Sequence, residues 1–386
     1  MKRLVYAFLI LLAIGISLQV ALIKRPPNYH VVTTAAQNIL EATHPYELQE
    51  GLDYYKYSPL AGILTAPFLF LPDTVGIFLF VFLQLGLFCW AFSKWAASAH
   101  VTGLSWQSIA VVAFFSTIFD VTVAVQNCQV NVGIFALMFF AAAQYAEGQF
   151  VRAGLVLSLA TNLKLFPFTL GLCLLMGFKK EYWMAFFGGL LLWLALPSVL
   201  VGFEANLRLH SEWLQLMTWD QTRDVYMLDV GSFLALHFGM DPAIRNLLAM
   251  TVGLLIGLGT LYVFRKQRND LVDRFLLPIN GLYVLLFSYL SESPTSVLAV
   301  AGIFLIGLEA LSDRKRAALY WAHWGIALML IPVFYSDLVP NHWGEWARAF
   351  HLKTIGYLYV SVVLGFIFRR RYLGQGPAEL NGALNG

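Results

Sequence analysis

Residues 182–203 read YWMAFFGGLLLWLALPSVLVGF, 22 positions without one charged side chain. Crossing the hydrocarbon of a bilayer as a helix takes roughly 20 such residues. The run is continuous rather than alternating, so it reads as a helix and not as a barrel strand. Residues 4–23, LVYAFLILLAIGISLQVALI, repeat the pattern. Further apolar runs lie near 58–71, 75–97, 105–120, 129–146, 153–163, 165–178, 243–264, 275–290, 295–312, 317–335 and 354–368. Composition agrees: 59% of the chain is hydrophobic and 12% charged, where a soluble domain carries about 25% charged residues. So little charge cannot clothe a surface that faces water all round. The expected fold class is therefore all-α: a polytopic transmembrane helical bundle of about 12 spans. It forms one membrane domain over 1–372, with two long polar segments at 24–57 and 204–242. The tail 373–386, rich in Gly and Asn, reads as disordered and cytoplasmic.

The first run follows Lys2 and Arg3, as a signal peptide would. Its ~20 apolar residues exceed the 7–15 of a signal h-region, and no small-x-small cleavage pattern precedes Lys24-Arg25, so it reads as an uncleaved first helix. Cys89, Cys128 and Cys173 sit in or beside apolar runs without CxxC spacing. They read as buried thiols, with neither a disulfide framework nor a metal site.

Lysine and arginine set the orientation, because they concentrate in cytoplasmic loops. Arg265, Lys266, Arg268 and Arg274 share one loop; Arg314, Lys315 and Arg316 follow two runs later; Arg369, Arg370 and Arg371 follow after two more. Even spacing puts all three clusters on one side, which is the cytoplasmic side by this rule, together with Lys2-Arg3 and Lys179-Lys180. Segments 24–57, 204–242 and 336–353 then face the other compartment, and only Lys24 and Arg25 break the pattern. This requires an odd number of crossings before residue 204, whereas eight apolar runs occur there. The run 58–71, bounded by Ser58-Pro59 and Pro72, is expected not to cross; fusing 153–178 into one bent span is the alternative. Clusters this short mark topology rather than a nucleic-acid surface. The bilayer is the expected partner and nucleic acid is not.

Polar side chains at membrane depth are costly and mark cavities. The outer segment holds Asn28, His44, Glu47, Asp53 and the run Tyr54-Tyr55-Lys56-Tyr57-Ser58-Pro59. Acids and one base among aromatics suit a sugar or headgroup surface, and they also suit an interfacial belt of tyrosines. Gln126-Asn127-Cys128-Gln129-Val130-Asn131 opens an apolar helix. Its amides either meet a phosphate or sugar or satisfy the helix start themselves. Lys164, in Asn162-Leu163-Lys164-Leu165-Phe166-Pro167, lies between two apolar runs. It needs a counter-charge or a phosphate there, unless it snorkels to the interface. Glu292, in Ser291-Glu292-Ser293-Pro294-Thr295, reads as a base, a partner for a cation or a hydrated loop acid. Trp213, Trp219, Asp220, Arg223, Asp224 and Asp229 in segment 204–242 compose an acceptor lid or an amphipathic helix on the membrane surface. No Walker A loop, HExxH or GxSxG is present.

In order along the chain come Tyr55-Lys56-Tyr57-Ser58-Pro59-Leu60, Ala66-Pro67, Leu71-Pro72, Gln129-Val130-Asn131, Lys164-Leu165-Phe166-Pro167 and Glu292-Ser293-Pro294-Thr295. This series, over roughly residues 1–312, resembles glycosyltransferase family 87, multi-spanning enzymes of GT-C type that include bacterial mannosyltransferases. The resemblance implies transfer of mannose or another hexose or pentose from a polyprenyl-phosphate donor to a membrane lipid or glycan acceptor. It places the active site at the non-cytoplasmic face of a bacterial cell membrane. It implies no cofactor, since the lipid-linked sugar is itself a substrate, and leaves dependence on a divalent metal open. Relatives carry an acidic base just after the first span; this chain has Asn28 there, as a subgroup with a Glu-Ser-Pro-Thr turn does. The base then falls to Asp53 or Glu292. Lys164 and Lys56 would meet the donor phosphate, with Gln129, Asn131 and Tyr57 orienting phosphate or sugar. Asn28, His44, Tyr55, Trp219, Asp220 and Arg223 would form the acceptor side. Two other classes share intramembrane polar residues: a lipid or sugar-lipid transporter, which would favour inverted repeats not seen here, and a membrane scaffold, which would give Lys164 and Glu292 no role.

Overall fold

Proline and short polar residues punctuate the chain where its helices begin. Pro27, Pro59 and Pro167 each open a helix at its first position, where a missing N–H costs nothing. Ser58 accepts from the Ala61 N–H, Ser105 from Ser108, and Asp229 from Gly231 and Ser232, satisfying N–H groups that the helix leaves unpaired. The computed structural model describes residues 2–48, 51–98, 104–219, 227–241, 244–265, 272–288, 292–336 and 339–373. Its α-helices are α1 (Lys2–Gln19), α2 (Pro27–Leu40), α3 (Pro59–Thr65), α4 (Asp73–Ser98), α5 (Trp106–Gln126) and α6 (Asn131–Ala146). Next come α7 (Phe150–Leu163), α8 (Pro167–Leu175), α9 (Lys180–Ala195), α10 (Ser198–Val201), α11 (Phe203–Trp219) and α12 (Val230–Phe238). The last six are α13 (Ile244–Arg265), α14 (Leu277–Phe287), α15 (Val300–Ser312), α16 (Ala317–Leu330), α17 (Asn341–Ala349) and α18 (Leu352–Phe368). A 3₁₀ segment, Ser293–Ala299, leads directly into α15. No strand occurs among the described residues.

Among the described residues, eight helical stretches are long and apolar enough, by length and composition, to cross a membrane: Ala7–Lys24, Asp73–Ser98, Trp106–Gln126, Lys180–Val201, Ile244–Arg265, Ser293–Ser312, Ala317–Tyr335 and Leu352–Arg371. Four further apolar helices are shorter: Pro59–Phe70, Asn131–Ala146, Phe150–Leu163 and Arg274–Phe287. The expected count of about 12 spans is thus not reached by full-length helices among the described residues. The segment 58–71 is α3 followed by a 3₁₀ turn through Pro67, too short for the ~30 Å of a bilayer core. The stretch 153–178 does not fuse: α7 stops at Leu163, Lys164 is extended, and α8 restarts at Pro167. Residues 266–271, with part of one basic cluster, lie outside the described residues, as does 374–386 of the expected tail.

Burial orders the bundle. Nearly every residue of Ser293–Ser312 is buried, and it runs through the centre, whereas most residues of Lys180–Val201 and Ile244–Arg265 are not buried and turn Leu, Phe and Met outward. Facing α7, α9 comes in as close as glycine allows. A Cβ added at Gly154 would lie 2.9 Å from the Phe186 backbone nitrogen and the Tyr182 carbonyl, the close approach that small residues permit between membrane helices.

Three helices share one sense. From the neighbourhood of Lys164, α8 runs toward Lys179-Lys180. From the Glu292 turn, the central helix runs toward Arg314, Lys315 and Arg316. From Lys353, α18 runs toward Arg369, Arg370 and Arg371. One end of the bundle therefore gathers the polar turns of the interior and the other gathers the basic clusters. At the basic end Arg371 pairs with Glu309 at 2.8 Å, and Arg370 with Asp313.

Candidate active site

The polar segment 24–57 is partly helical: α2 covers 27–40, and a loop then leads back to Pro59. Three buried tyrosines and a tryptophan fix that loop. Tyr46 Oη donates to the Tyr57 carbonyl at 3.2 Å and Tyr55 Oη to the Ser58 carbonyl at 3.1 Å. Trp213 on α11 donates its indole N–H to the Lys56 carbonyl at 3.4 Å. The Ser58 N–H donates to the Leu163 carbonyl at the end of α7, 3.4 Å away. Lys56 and Tyr57 are thereby set against Lys164.

The turn between α5 and α6 supplies the opposite wall. Cys128 takes a left-handed conformation at φ 48°, a strained choice for a side chain larger than glycine. It lets Cys128 N bond to Val125 O at 2.9 Å and Gln129 N to Ala124 O at 3.3 Å. Asn28, at the start of α2, ties to the same turn through Nδ2 and the Asn127 carbonyl, 3.0 Å.

Between these walls lies a cavity of about 50 Å³ lined by Asn28, Val31, Val32, Asp53, Tyr54, Lys56, Tyr57, Cys128, Gln129, Lys164, Glu292 and Thr295. By this measure one water needs roughly 10–15 Å³, so the enclosed part suits a phosphate-sized group. Its polar groups form a continuous string. Lys56 Nζ lies 4.0 Å from Asp53 Oδ2 and 3.6 Å from Glu292 Oε1. Gln129 Nε2 donates to Glu292 Oε2 at 3.3 Å, and Asn131 Nδ2 donates to Gln129 Oε1 at 2.5 Å. Lys164 Nζ donates to Asn131 Oδ1 at 3.0 Å and sits 5.1 Å from the centroid of the Tyr57 ring, in cation–π range. Asp53 is the open end, with 44% of its side chain exposed against 31% for Glu292. Lys164 lies outside the spanning helices. Burial pushes its ammonium down from 10.5 to about 8; Glu292 opposes that fall and Lys56 adds to it.

Of the residues singled out in the sequence, Asp53, Lys56, Tyr57, Gln129, Lys164, Glu292 and Asn28 come together around this cavity. Asn131 is fully buried behind it and holds Lys164 and Gln129 in place. Tyr55 is buried in the loop and does not line the cavity. His44 is exposed and lies 3.8 Å from Glu47 and 3.7 Å from Glu212, away from the lining. Trp219 ends α11; Asp220 and Arg223, the remainder of the expected lid, lie outside the described residues. Among the described residues no three His, Cys, Asp or Glu side chains gather where a metal could be held.

Two charged residues escaped the sequence reading. Asp120, deep in α5, and Lys353, at the start of α18, are both buried and lie 3.4 Å apart. Lys353 Nζ also donates to Ser293 Oγ at 2.9 Å and Ser296 Oγ at 2.7 Å. Neither lines the cavity, yet Lys353 grips the turn that carries Glu292. The one available signal was a lone acid and a lone lysine bordering apolar runs, each in need of a partner.

Comparison with curated proteins and with solved structures returns no match. The family model for glycosyltransferase family 87 matches residues 55–288, more than half of the chain. The match takes in Lys56, Tyr57, Gln129, Asn131 and Lys164, starts two residues after Asp53 and stops four before Glu292. A multi-pass helical bundle whose interior polar groups converge at one end is thus joined to a sequence match over residues 55–288, and the chain belongs to glycosyltransferase family 87.

Proposed function

We propose that this glycosyltransferase moves a hexose or pentose, mannose being the first candidate, from a polyprenyl phosphate to an acceptor hydroxyl at the non-cytoplasmic membrane face. The observation that carries the reading is the string Asp53–Lys56–Glu292–Gln129–Asn131–Lys164 in and behind one cavity. Displacement at an anomeric carbon needs a base on one side and a stabiliser of the departing phosphate on the other. The two ends of the string provide them. Asp53, half-exposed at the mouth, accepts the proton of the acceptor hydroxyl as that oxygen bonds to the anomeric carbon. The bond from that carbon to the phosphate oxygen breaks, and its electron pair leaves with the phosphate. Lys164, with Lys56 beside it, meets the charge that grows there. Glu292 sits between the two lysines in the string and keeps Lys56 directed inward. The N-terminus of α6, opening at Asn131, adds partial positive charge on the same side.

The bundle supports the rest. The basic clusters at the far end are expected on the cytoplasmic side, which turns the cavity outward. A donor anchored by its own lipid chain needs no nucleotide site, and none of the corresponding motifs is present. A GT-C type bundle is supported by three of the shorter apolar helices, Asn131–Ala146, Phe150–Leu163 and Arg274–Phe287, packing among the longer ones. Purified protein in lipid nanodiscs, given radiolabelled polyprenyl-phosphate mannose and a panel of membrane glycan acceptors, tests the proposal. Label should pass to acceptor in wild type and fail to pass in Asp53→Asn. Transfer by Asp53→Asn at the wild-type rate would remove Asp53 from the chemistry.

A further inference from the structure

Lys353 is the second residue of α18, and its side chain is buried. Its ammonium faces Asp120 Oδ1 at 3.4 Å, Ser293 Oγ at 2.9 Å, Ser296 Oγ at 2.7 Å and the Ser293 carbonyl at 3.5 Å, and lies 4.7 Å from the centroid of the Tyr335 ring. Every one of these oxygens except that of Asp120 belongs to the turn that follows Glu292. The turn needs such support. It is 3₁₀ rather than α-helical, with poorer hydrogen-bond geometry. Glu292 enters it extended, at φ −95° and ψ 164°, with the Thr295 N–H bonded to its carbonyl at 2.9 Å.

Stability does not explain the pair. Burying two charges costs desolvation that their attraction barely repays, and replacing a buried ion pair by apolar residues of like volume is often neutral or stabilising. What an ammonium offers is direction: several N–H donors aimed at fixed oxygens. Asp120, 233 residues away in sequence, neutralises it at depth.

We propose that Lys353, neutralised by Asp120, is a positioning residue that fixes the turn 292–296 and so holds the Glu292 carboxylate between Lys56 and Gln129. The proposal rests on the role given above to Glu292. Lys353 touches no substrate; it acts through the turn, and Glu292 transmits the effect to the lysine beside the donor phosphate.

The test is a mutant cycle on the full-length protein in nanodiscs. Lys353→Met/Asp120→Leu exchanges the ion pair for apolar side chains of similar volume. Thermal unfolding should shift little or rise, while kcat/KM for polyprenyl-phosphate mannose drops about tenfold or more, and Glu292→Gln added on that background should cost less than about twofold. A purely structural pair would instead leave kcat/KM unchanged and leave Glu292→Gln as costly as in wild type, which overturns the proposal. If Glu292→Gln is silent in the wild-type background, the proposal falls together with the role of Glu292; if it inactivates there but the apolar pair is fully active, only the positioning role falls. Should the double variant not fold, Ser293→Ala/Ser296→Ala keeps the ion pair and removes the hydroxyls that Lys353 grips. The same loss and the same non-additivity are expected of it, and full activity refutes the role.

Discussion

Replacing Lys164 by Met deletes an ammonium and little volume, which isolates charge from packing. The cost to folding is small because two effects oppose. Losing the 3.0 Å bond to Asn131 Oδ1 strands a buried acceptor, at about 1–3 kcal/mol. Against this, the ammonium is itself strained by burial. Its descent from 10.5 to about 8 corresponds to roughly 3 kcal/mol, at about 1.4 kcal/mol per pH unit. The variant should therefore unfold within about 2 kcal/mol of wild type. Catalysis has no such compensation. Removing one preorganised donor from a developing oxyanion costs about 10²–10³-fold in kcat, or about 3–4 kcal/mol. The assay is transfer from radiolabelled polyprenyl-phosphate mannose in nanodiscs, with thermal unfolding followed on the same preparation. A stable Lys164→Met protein that keeps more than about a third of wild-type kcat/KM would refute the phosphate assignment of Lys164 and leave Lys56 as the cation that meets the leaving group.

Asp53→Asn should lower kcat by about 10²–10⁴-fold with donor binding unchanged, measured by equilibrium binding beside turnover; a raised donor Kd with normal kcat would make Asp53 a binding residue instead. The donor phosphate needs Lys164 charged, so kcat/KM for donor should fall as pH rises through about 8. Lys164→Arg, charged to beyond about pH 12, should flatten that limb, and an unmoved limb would assign the titration elsewhere. Gly154→Ala puts a methyl group 2.9 Å from the backbone of α9. It should destabilise by about 1–3 kcal/mol, seen as a lower melting temperature in detergent, with kcat of the folded fraction unchanged.

What could be read before the structure followed from the price of polarity in hydrocarbon. Runs such as 182–203 could only be membrane helices, and Lys164 and Glu292 stood out because each interrupted an apolar neighbourhood. The same logic misplaced other features. The apolar run reads as 105–120, yet α5 continues to Gln126, with the buried Asp120 carboxylate facing Lys353. No local pattern announces a pair 233 residues apart. Asn131 reads either as orienting phosphate or sugar or as satisfying the helix start; the fold buries its amide behind the cavity, bonded to Lys164 and Gln129. His44 and Tyr55 shared a composition suited to sugar binding; tertiary packing sent one to the surface beside Glu212 and the other into the loop's tyrosine cluster. Helix lengths were similarly opaque, because hydropathy does not say which apolar runs are shielded by neighbours and can stop short of a full crossing.

The central claim is that the outward cavity performs glycosyl transfer from a lipid phosphate. Reconstituting the wild-type chain in vesicles whose leaflets carry radiolabelled polyprenyl-phosphate mannose, with glycan acceptors present, tests this most directly when transfer and donor movement between leaflets are followed together. Label should appear covalently on acceptor, in amounts that track the protein and vanish with Asp53→Asn or Lys164→Met. Movement of intact donor across the bilayer, with no labelled acceptor from any sugar in the panel, would contradict the account and describe a carrier.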